Sequence, residues 1–126
     1  MLKILELHPS QNPQGEYVVL ENQGLVTINL KGYALCSEAF LQGEKRQLAD
    51  EMYVFREEIP VKPFQRVVLF SGDGEDCWVP TIDGKQAYCA YWHRDNGMWS
   101  HTQQLLVLQI AASRRTSTPL SLPISA

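Results

Sequence analysis

The 126-residue sequence contains no apolar run that approaches the ~18 residues needed to cross a bilayer. Its first residues, MLKILELH, include Lys3 and Glu6, so they lack the uninterrupted apolar segment of a secretory signal. The three cysteines, Cys36, Cys77 and Cys89, are odd in number and widely spaced, which favours reduced thiols over a disulfide framework. We therefore expect a cytoplasmic protein that does not bind a membrane.

The sequence also lacks an excess of positive charge. Its 11 lysines and arginines stand against 14 acidic residues, which gives a formal net charge of −3. Domains that bind nucleic acid usually carry a basic stripe, whereas the basic residues here are scattered, with adjacent pairs at Lys45-Arg46 and Arg114-Arg115. Nucleic-acid binding is therefore an alternative function, and not the favoured one.

No motif for metal binding or for nucleophilic catalysis stands out in the sequence. The residues nearest to a zinc pattern are Cys77, Cys89, His93 and His101. Their spacing lacks the short C-x2-C knuckle that zinc sites favour, and the acidic loop at 72–76 does not reproduce the alternating oxygen ligands of a calcium loop. We predict no catalytic residue, metal or cofactor, which leaves a small enzyme with an unrecognised site as the second alternative.

What the sequence does contain is a series of short β-rich runs separated by turn residues. These runs cover residues 2–8, 16–21, 26–36, 53–55, 66–70, 86–93 and 104–110. The best helical periodicity lies between Ser37 and Met52, and it fits a short helix or an irregular loop. About seven to nine short strands with little helix predict an all-β protein, an antiparallel β sandwich of Greek-key type.

The run at 26–36 changes phase within itself. Ile28 and Leu30 share one parity, whereas Tyr33 and Leu35 share the other. A glycine bulge at Gly32, or a bend into the opposite sheet, would return these side chains to the core. At the other end of the chain, two prolines interrupt a tail of low charge, so we predict a folded domain over 1–112 and a flexible tail over 113–126.

Five short segments follow one another in a recognisable order. They are Gly15-Glu16-Tyr17-Val18-x-Leu20-x-Asn22, Leu30-x-Gly32-Tyr33-x-Leu35, Tyr53-x-Phe55, Val67-Val68-x-Phe70 and Tyr91-Trp92-x6-Trp99. Their order and spacing resemble the lamin tail domain, an immunoglobulin-like β sandwich found in nuclear lamins and in many bacterial proteins. The resemblance covers roughly residues 2–112. It implies an immunoglobulin-like fold and a scaffold or recognition role without an active site.

The chain departs from the family pattern at three places. Val19 lies between two inward positions, where the family usually has a charged or polar residue. The turn that is Pro-Gly-Gly-like in the family reads Lys62-Pro63-Phe64-Gln65 here, so the proline remains and the glycines are lost. The family continues after its penultimate strand with an Asp-Gly hairpin, whereas this chain continues after Ile110 with Ala-Ala-Ser-Arg-Arg.

Three strands carry apolar side chains in succession, at 17–20, 67–70 and 105–108. Because a strand alternates its side chains between two faces, and two layers enclose one core, these runs leave an apolar outer surface. The residues predicted to bind a partner protein or a second copy of the chain are Val19, Leu69, Val107 and Trp92. We therefore predict a non-enzymatic protein-interaction module, an accessory or scaffold subunit.

Two features could change this prediction. The segment at 37–52 or the C-terminal tail could cover the apolar surface within the same molecule. The edge of the last strand, 104–110, could recruit a strand from a partner, or the first strand could pair with it and close the sheet.

Overall fold

A computed structural model of the protein describes residues 1–37, 52–95, 99 and 105–109. The helix-or-loop candidate between residues 38 and 51 and the predicted tail at 113–126 lie outside the described residues. Within them the protein is all-β, as predicted, with one turn of 3-10 helix at Pro13–Gly15. The described part of the chain includes no helix long and apolar enough to cross a membrane.

The described residues form ten strands. They are β1 (Leu2–His8), β2 (Tyr17–Asn22), β3 (Ile28–Asn29), β4 (Tyr33–Ser37), β5 (Met52–Val54), β6 (Pro60–Val61), β7 (Arg66–Phe70), β8 (Cys77–Pro80), β9 (Gln86–Tyr91) and β10 (Leu105–Gln109). This number exceeds the predicted seven to nine because the run at 26–36 divides into β3 and β4, and because β6 and β8 were not predicted.

The strands are arranged in two larger sheets and one small one. The five-stranded sheet has the order β1-β2-β7-β9-β8, the three-stranded sheet has the order β10-β4-β5, and β3 pairs with β6. One pair, β7–β9, is parallel, which corrects the prediction of a purely antiparallel arrangement. After β7 the chain skips one position in the sheet and forms β8 at its edge. The hairpin after β8 then returns the chain, so β9 fills the position between β7 and β8 and runs parallel to β7.

One hydrophobic core contains side chains from both larger sheets. Its buried members include Val18, Leu20, Leu30, Leu35, Phe55, Val61, Val67, Leu69, Tyr88, Ala90 and Trp99. On β2 and β7 these are alternate residues, and the register that pairs Val18 with Leu69 puts both on the inner face. The outer face of the five-stranded sheet therefore carries the intervening residues.

The phase change in the run at 26–36 corresponds to a bend. Gly32 has a φ of 93°, in the left-handed region that glycine favours. On one side of the bend β3 pairs with β6, and on the other side β4 enters the three-stranded sheet. Of the two predicted alternatives, the bend between sheets is the one that forms.

A buried carboxylate lies immediately before β2. Glu16 is fully buried. One of its oxygens accepts the Ser71 hydroxyl hydrogen bond at 2.5 Å, and the other accepts the backbone N–H groups of Ser10 and Trp99, each at 3.1 Å. These bonds join segments that are far apart in the sequence at one end of the five-stranded sheet.

A buried amide occupies the opposite end of β2. The Asn22 side-chain nitrogen donates to the carbonyl oxygens of Val26 and Val61, both at 2.9 Å. Its side-chain oxygen accepts from the Gly24 backbone N–H at 3.0 Å and from the Met1 amine at 3.1 Å. The loops that surround this end of the sheet are therefore held by one side chain.

Candidate protein-interaction site

The structure separates the residues that were predicted to share an outer face. Val19 lies on the outer face of the five-stranded sheet and is 8% exposed, whereas Leu69 is fully buried in the core. Val107 belongs to the other sheet, through its pairing with Leu35, and packs against the core. The prediction of a contiguous outer patch of Val19, Leu69 and Val107 is therefore wrong, because Leu69 has the opposite parity and β10 is not a neighbour of β2 or β7.

Trp92, the fourth predicted binding residue, is half-buried and packs against the core. Its ring centroid lies 5.6 Å from that of Tyr53 and 5.4 Å from that of Trp99. The guanidinium carbon of Arg94 lies 5.7 Å from the centroid of the Trp92 ring. These contacts give Trp92 a packing role, and its predicted contact with a partner stays a prediction.

The outer face of the five-stranded sheet is arranged in rows of like side chains. Four rings form one row across β1, β2, β7 and β9, with centroid distances of 4.3, 5.6 and 4.9 Å, and they are His8, Tyr17, Phe70 and Tyr91. A second row contains Val19 and its cross-strand neighbour Val68. In a third row Arg66 and Glu21 form an ion pair at 3.3 Å. The apolar groups of this face thus lie beside one another.

In the part of the chain that the structure describes, the first strand does not pair with the last strand, so the expectation that it closes this edge is wrong. Among the described residues β10 pairs with β4, and β1 pairs with β2. The first strand approaches β10 but forms its ladder in the other sheet. Recruitment of a strand at this edge stays a prediction.

The exposed apolar side chains lie mainly in loops. In the described part of the chain the large ones are Met1, Leu5, Leu25, Val26, Phe64 and Ile82. Except for Leu5, they lie at the end of the five-stranded sheet where β2 ends and β7 begins. Asn22 bonds to Met1, Val26 and Phe64 there. Leu25 adjoins Val26 in the chain, and Ile82 lines the same cavity as Phe64. This cluster was missed in the sequence because it is formed by single residues from separate turns.

Phe64 has a backbone conformation that is unusual for a bulky residue. Its φ is 68°, in the left-handed region where side chains other than glycine are uncommon. It follows Pro63 in a turn closed by the Gln65 N–H, which donates to the Lys62 carbonyl oxygen at 3.0 Å. Glycine ordinarily occupies this position when φ is positive, and such strain costs about 1–3 kcal/mol. The Phe64 side chain is nevertheless 53% exposed, so its burial does not account for the strain.

Phe64 and Ile82 line the same open cavity, which has a volume of about 480 Å³. The other lining residues are Arg66, Pro80, Thr81, Asp83, Lys85 and Gln86. We call this cavity the Phe64–Ile82 cleft. It lies between the turn before β7 and the hairpin that joins β8 to β9, and its lining includes apolar side chains, two cations (Arg66 and Lys85) and the Asp83 carboxylate.

The hairpin that carries Ile82 is closed by several hydrogen bonds. The Thr81 backbone N–H donates to the Lys85 carbonyl oxygen at 2.8 Å, and Gly84 has a φ of 80°. The Asp83 carboxylate accepts from the Thr81 hydroxyl and from the Lys85 backbone N–H. Both bonds lower the pKa of Asp83, and the bond from the Thr81 hydroxyl has the larger effect. The local bonds hold the hairpin tip while the Ile82 side chain remains fully exposed.

A second cavity, of about 280 Å³, lies beside Trp92 and is lined by aromatic and charged side chains. Burial, and to a smaller extent the nearby Asp76 carboxylate, raise the pKa of Tyr53 to about 12. Asp76 accepts the Tyr91 backbone N–H at 2.9 Å, and His93 pairs with Asp73 at 3.1 Å. Among the described residues no group of histidine, cysteine and carboxylate side chains is placed to hold a metal ion.

In comparisons with protein-family models, curated proteins and solved structures, none was found to match the chain. The resemblance to the lamin tail domain therefore stays a prediction, and the functional argument depends on the geometry of the cleft.

Proposed function

We propose that the protein is a non-enzymatic interaction module, an accessory or scaffold subunit that binds a partner protein at the Phe64–Ile82 cleft. The observation that carries this proposal is the strained and half-exposed Phe64. Its conformation destabilises the fold, and its ring gains little from burial in the free protein. Exposed aromatic residues beside an apolar pocket are typical anchors of protein interfaces.

The chemistry of the cleft favours one kind of partner surface. Phe64, Pro80 and Ile82 supply apolar contact area. Two cations, Lys85 and the Glu21-paired Arg66, outnumber the single Asp83 carboxylate, so the lining has an excess of positive charge. A partner that inserts an apolar side chain and places a carboxylate beside it would match both features, because charge complementarity orients an encounter and apolar contact stabilises it. The proposed partner site therefore lies in the loops at one end of the five-stranded sheet, and not on its outer face.

The lamin-tail resemblance supports the same role. Buried Glu16 lies immediately before β2 and buried Asn22 ends it, and Gly32 lies at the bend between sheets. The proposal includes a lamin-tail-like domain with an immunoglobulin-like fold. It also includes a cytoplasmic location.

Site-specific photocrosslinking would test the proposal in the native cell. A benzophenone amino acid replaces Ile82 in one variant and Leu5 in a control variant, since Leu5 is an exposed apolar residue on β1, at the opposite edge of the same sheet. We expect one crosslinked protein of defined mass from position 82 and none from position 5. Equal crosslinking at both positions, or none at position 82, would contradict the proposal.

A gel-shift series with single- and double-stranded nucleic acid at increasing salt tests the alternative function. Binding that weakens steeply with salt would indicate phosphate contacts and would favour the nucleic-acid alternative. We expect no shift at any salt concentration, because the protein has a net negative charge.

A further inference from the structure

Two of the three cysteines are direct neighbours across a strand pair. In the antiparallel register of β8 and β9, Cys77 is the partner of Cys89. Both thiols are free; Cys77 is exposed and Cys89 is buried.

The register indicates that the two backbones are at a suitable separation for a disulfide. The Thr81 N–H bond to the Lys85 carbonyl oxygen marks one hydrogen-bonded position of the hairpin. Hydrogen-bonded pairs alternate along an antiparallel ladder, so the Cys77–Cys89 pair, four residues along each strand, is also of this type. Its Cα atoms are then about 5.5 Å apart, within the range of about 4.4–6.8 Å that disulfides span.

The surroundings of the two thiols give them different roles. Burial, and then the neighbouring Cys77, raises the pKa of Cys89. Cys77 is on the edge strand of the sheet and is the thiol that a dissolved oxidant reaches first. Cys36 is buried on β4 opposite Leu106 and Met52, so its strand neighbours are not cysteines.

We propose that Cys77 and Cys89 form a modification site that a peroxide oxidises to an intramolecular disulfide. The Cys77 sulfur takes one oxygen from hydrogen peroxide and becomes a sulfenic acid, and one water is released. The Cys89 sulfur then attacks the Cys77 sulfur, a second water leaves, and the S–S bond forms. In total two thiols lose two electrons and two protons, and one peroxide becomes two waters. This proposal does not depend on partner binding at the cleft.

The experiment exposes the purified protein to hydrogen peroxide, denatures it, alkylates the remaining thiols and measures the intact mass. We expect three alkylated cysteines before oxidation and one, Cys36, after it. Trypsin cleaves after Arg66, Lys85 and Arg94, so the disulfide is identified as a link between peptides 67–85 and 86–94. Reduction should separate them.

Three variants make the result specific. Cys36→Ser should form the same linked peptides at the wild-type rate, whereas Cys77→Ser and Cys89→Ser should form none. Cys89→Ser should instead accumulate sulfenic or sulfinic acid at Cys77, because the resolving thiol is missing. Oxidation of wild type only to sulfinic acid, disulfide-linked dimers on a non-reducing gel, or no reaction at Cys77 would each overturn the proposal.

Discussion

The backbone N–H of Phe64 donates to the carbonyl oxygen of Asn22 at 2.6 Å, and the backbone N–H of Asn22 donates to the carbonyl oxygen of Gln65 at 3.1 Å. The strained turn is thus bonded directly to the residue whose side chain holds the neighbouring loops. The exposed ring of Phe64 is therefore presented by a fixed backbone, which reduces the entropy that a partner must overcome on binding.

Replacement of Asn22 should weaken the whole end of the sheet. Asn22→Ala removes four hydrogen bonds of a fully buried side chain, and it leaves the Val61 carbonyl without this donor. We expect the free energy of unfolding to fall by about 2–4 kcal/mol, measured by chemical denaturation. Asn29→Ala is the matched control, since exposed Asn29 accepts one bond from the Lys31 N–H, and it should lose less than about 1 kcal/mol. Equal losses in the two variants would contradict the role of Asn22.

Glu16 offers a test that separates charge from hydrogen bonding. Glu16→Ala leaves the partly buried N–H of Ser10 and the buried N–H of Trp99 without their acceptor, and we expect a loss of about 3 kcal/mol in unfolding free energy. Glu16→Gln keeps one oxygen for these N–H groups and turns its amide towards Ser71, so its loss should be about 1 kcal/mol. If both variants lose the same stability in urea denaturation, the carboxylate charge, rather than the hydrogen bonding, is what matters.

The pKa of Tyr53 predicts a loss of stability at high pH. Burial, and then Asp76, raises this pKa from 10.0 to about 12 in the folded protein. Between these values the unfolded chain releases the phenol proton while the folded protein keeps it, so the free energy of unfolding decreases as pH rises through this window. Tyr53→Phe removes this titration and should flatten the decrease between pH 10 and 12 in denaturation series. A decrease equally steep in the variant would show that other groups cause it.

The strands that could be predicted from the sequence are those with a strong local signal. The runs at 2–8 and 66–70 match β1 and β7 residue for residue, because apolar side chains fill them and turn residues bound them. β3 was predicted only as part of the run at 26–36, and β6 could not be predicted, since two residues carry no period. β8 was missed because only Trp78 and Val79 are apolar there, and its place at the sheet edge is set by pairing with β9.

The candidate site shows a different limit of sequence reasoning. Leu69 was assigned to the outer face because the run Val67–Phe70 is apolar throughout and its phase is ambiguous, and only the pairing with Val18 settles it. The sequence shows that Phe64 stands in a turn where the family has glycines. Its positive φ, however, depends on hydrogen bonds to Asn22 on another strand. The cleft therefore required the tertiary structure.

The central claim is that Phe64 is kept for binding at the expense of stability. Phe64→Gly removes the ring and relieves the left-handed strain, so the free energy of unfolding should rise by about 1 kcal/mol. Phe64→Ala removes the ring but keeps a side chain at positive φ, so it should be no more stable than wild type. Leu5→Ser controls for the loss of an exposed apolar group elsewhere on the sheet.

The most direct measurement compares thermal unfolding and partner recovery for these variants, using the protein that crosslinks at position 82. We predict that Phe64→Gly unfolds at a higher temperature than wild type yet recovers at least tenfold less partner, a loss of about 1.4 kcal/mol in binding or more, while Leu5→Ser recovers the wild-type amount. A glycine variant that is less stable than wild type, or one that binds the partner as well as wild type does, would contradict the account.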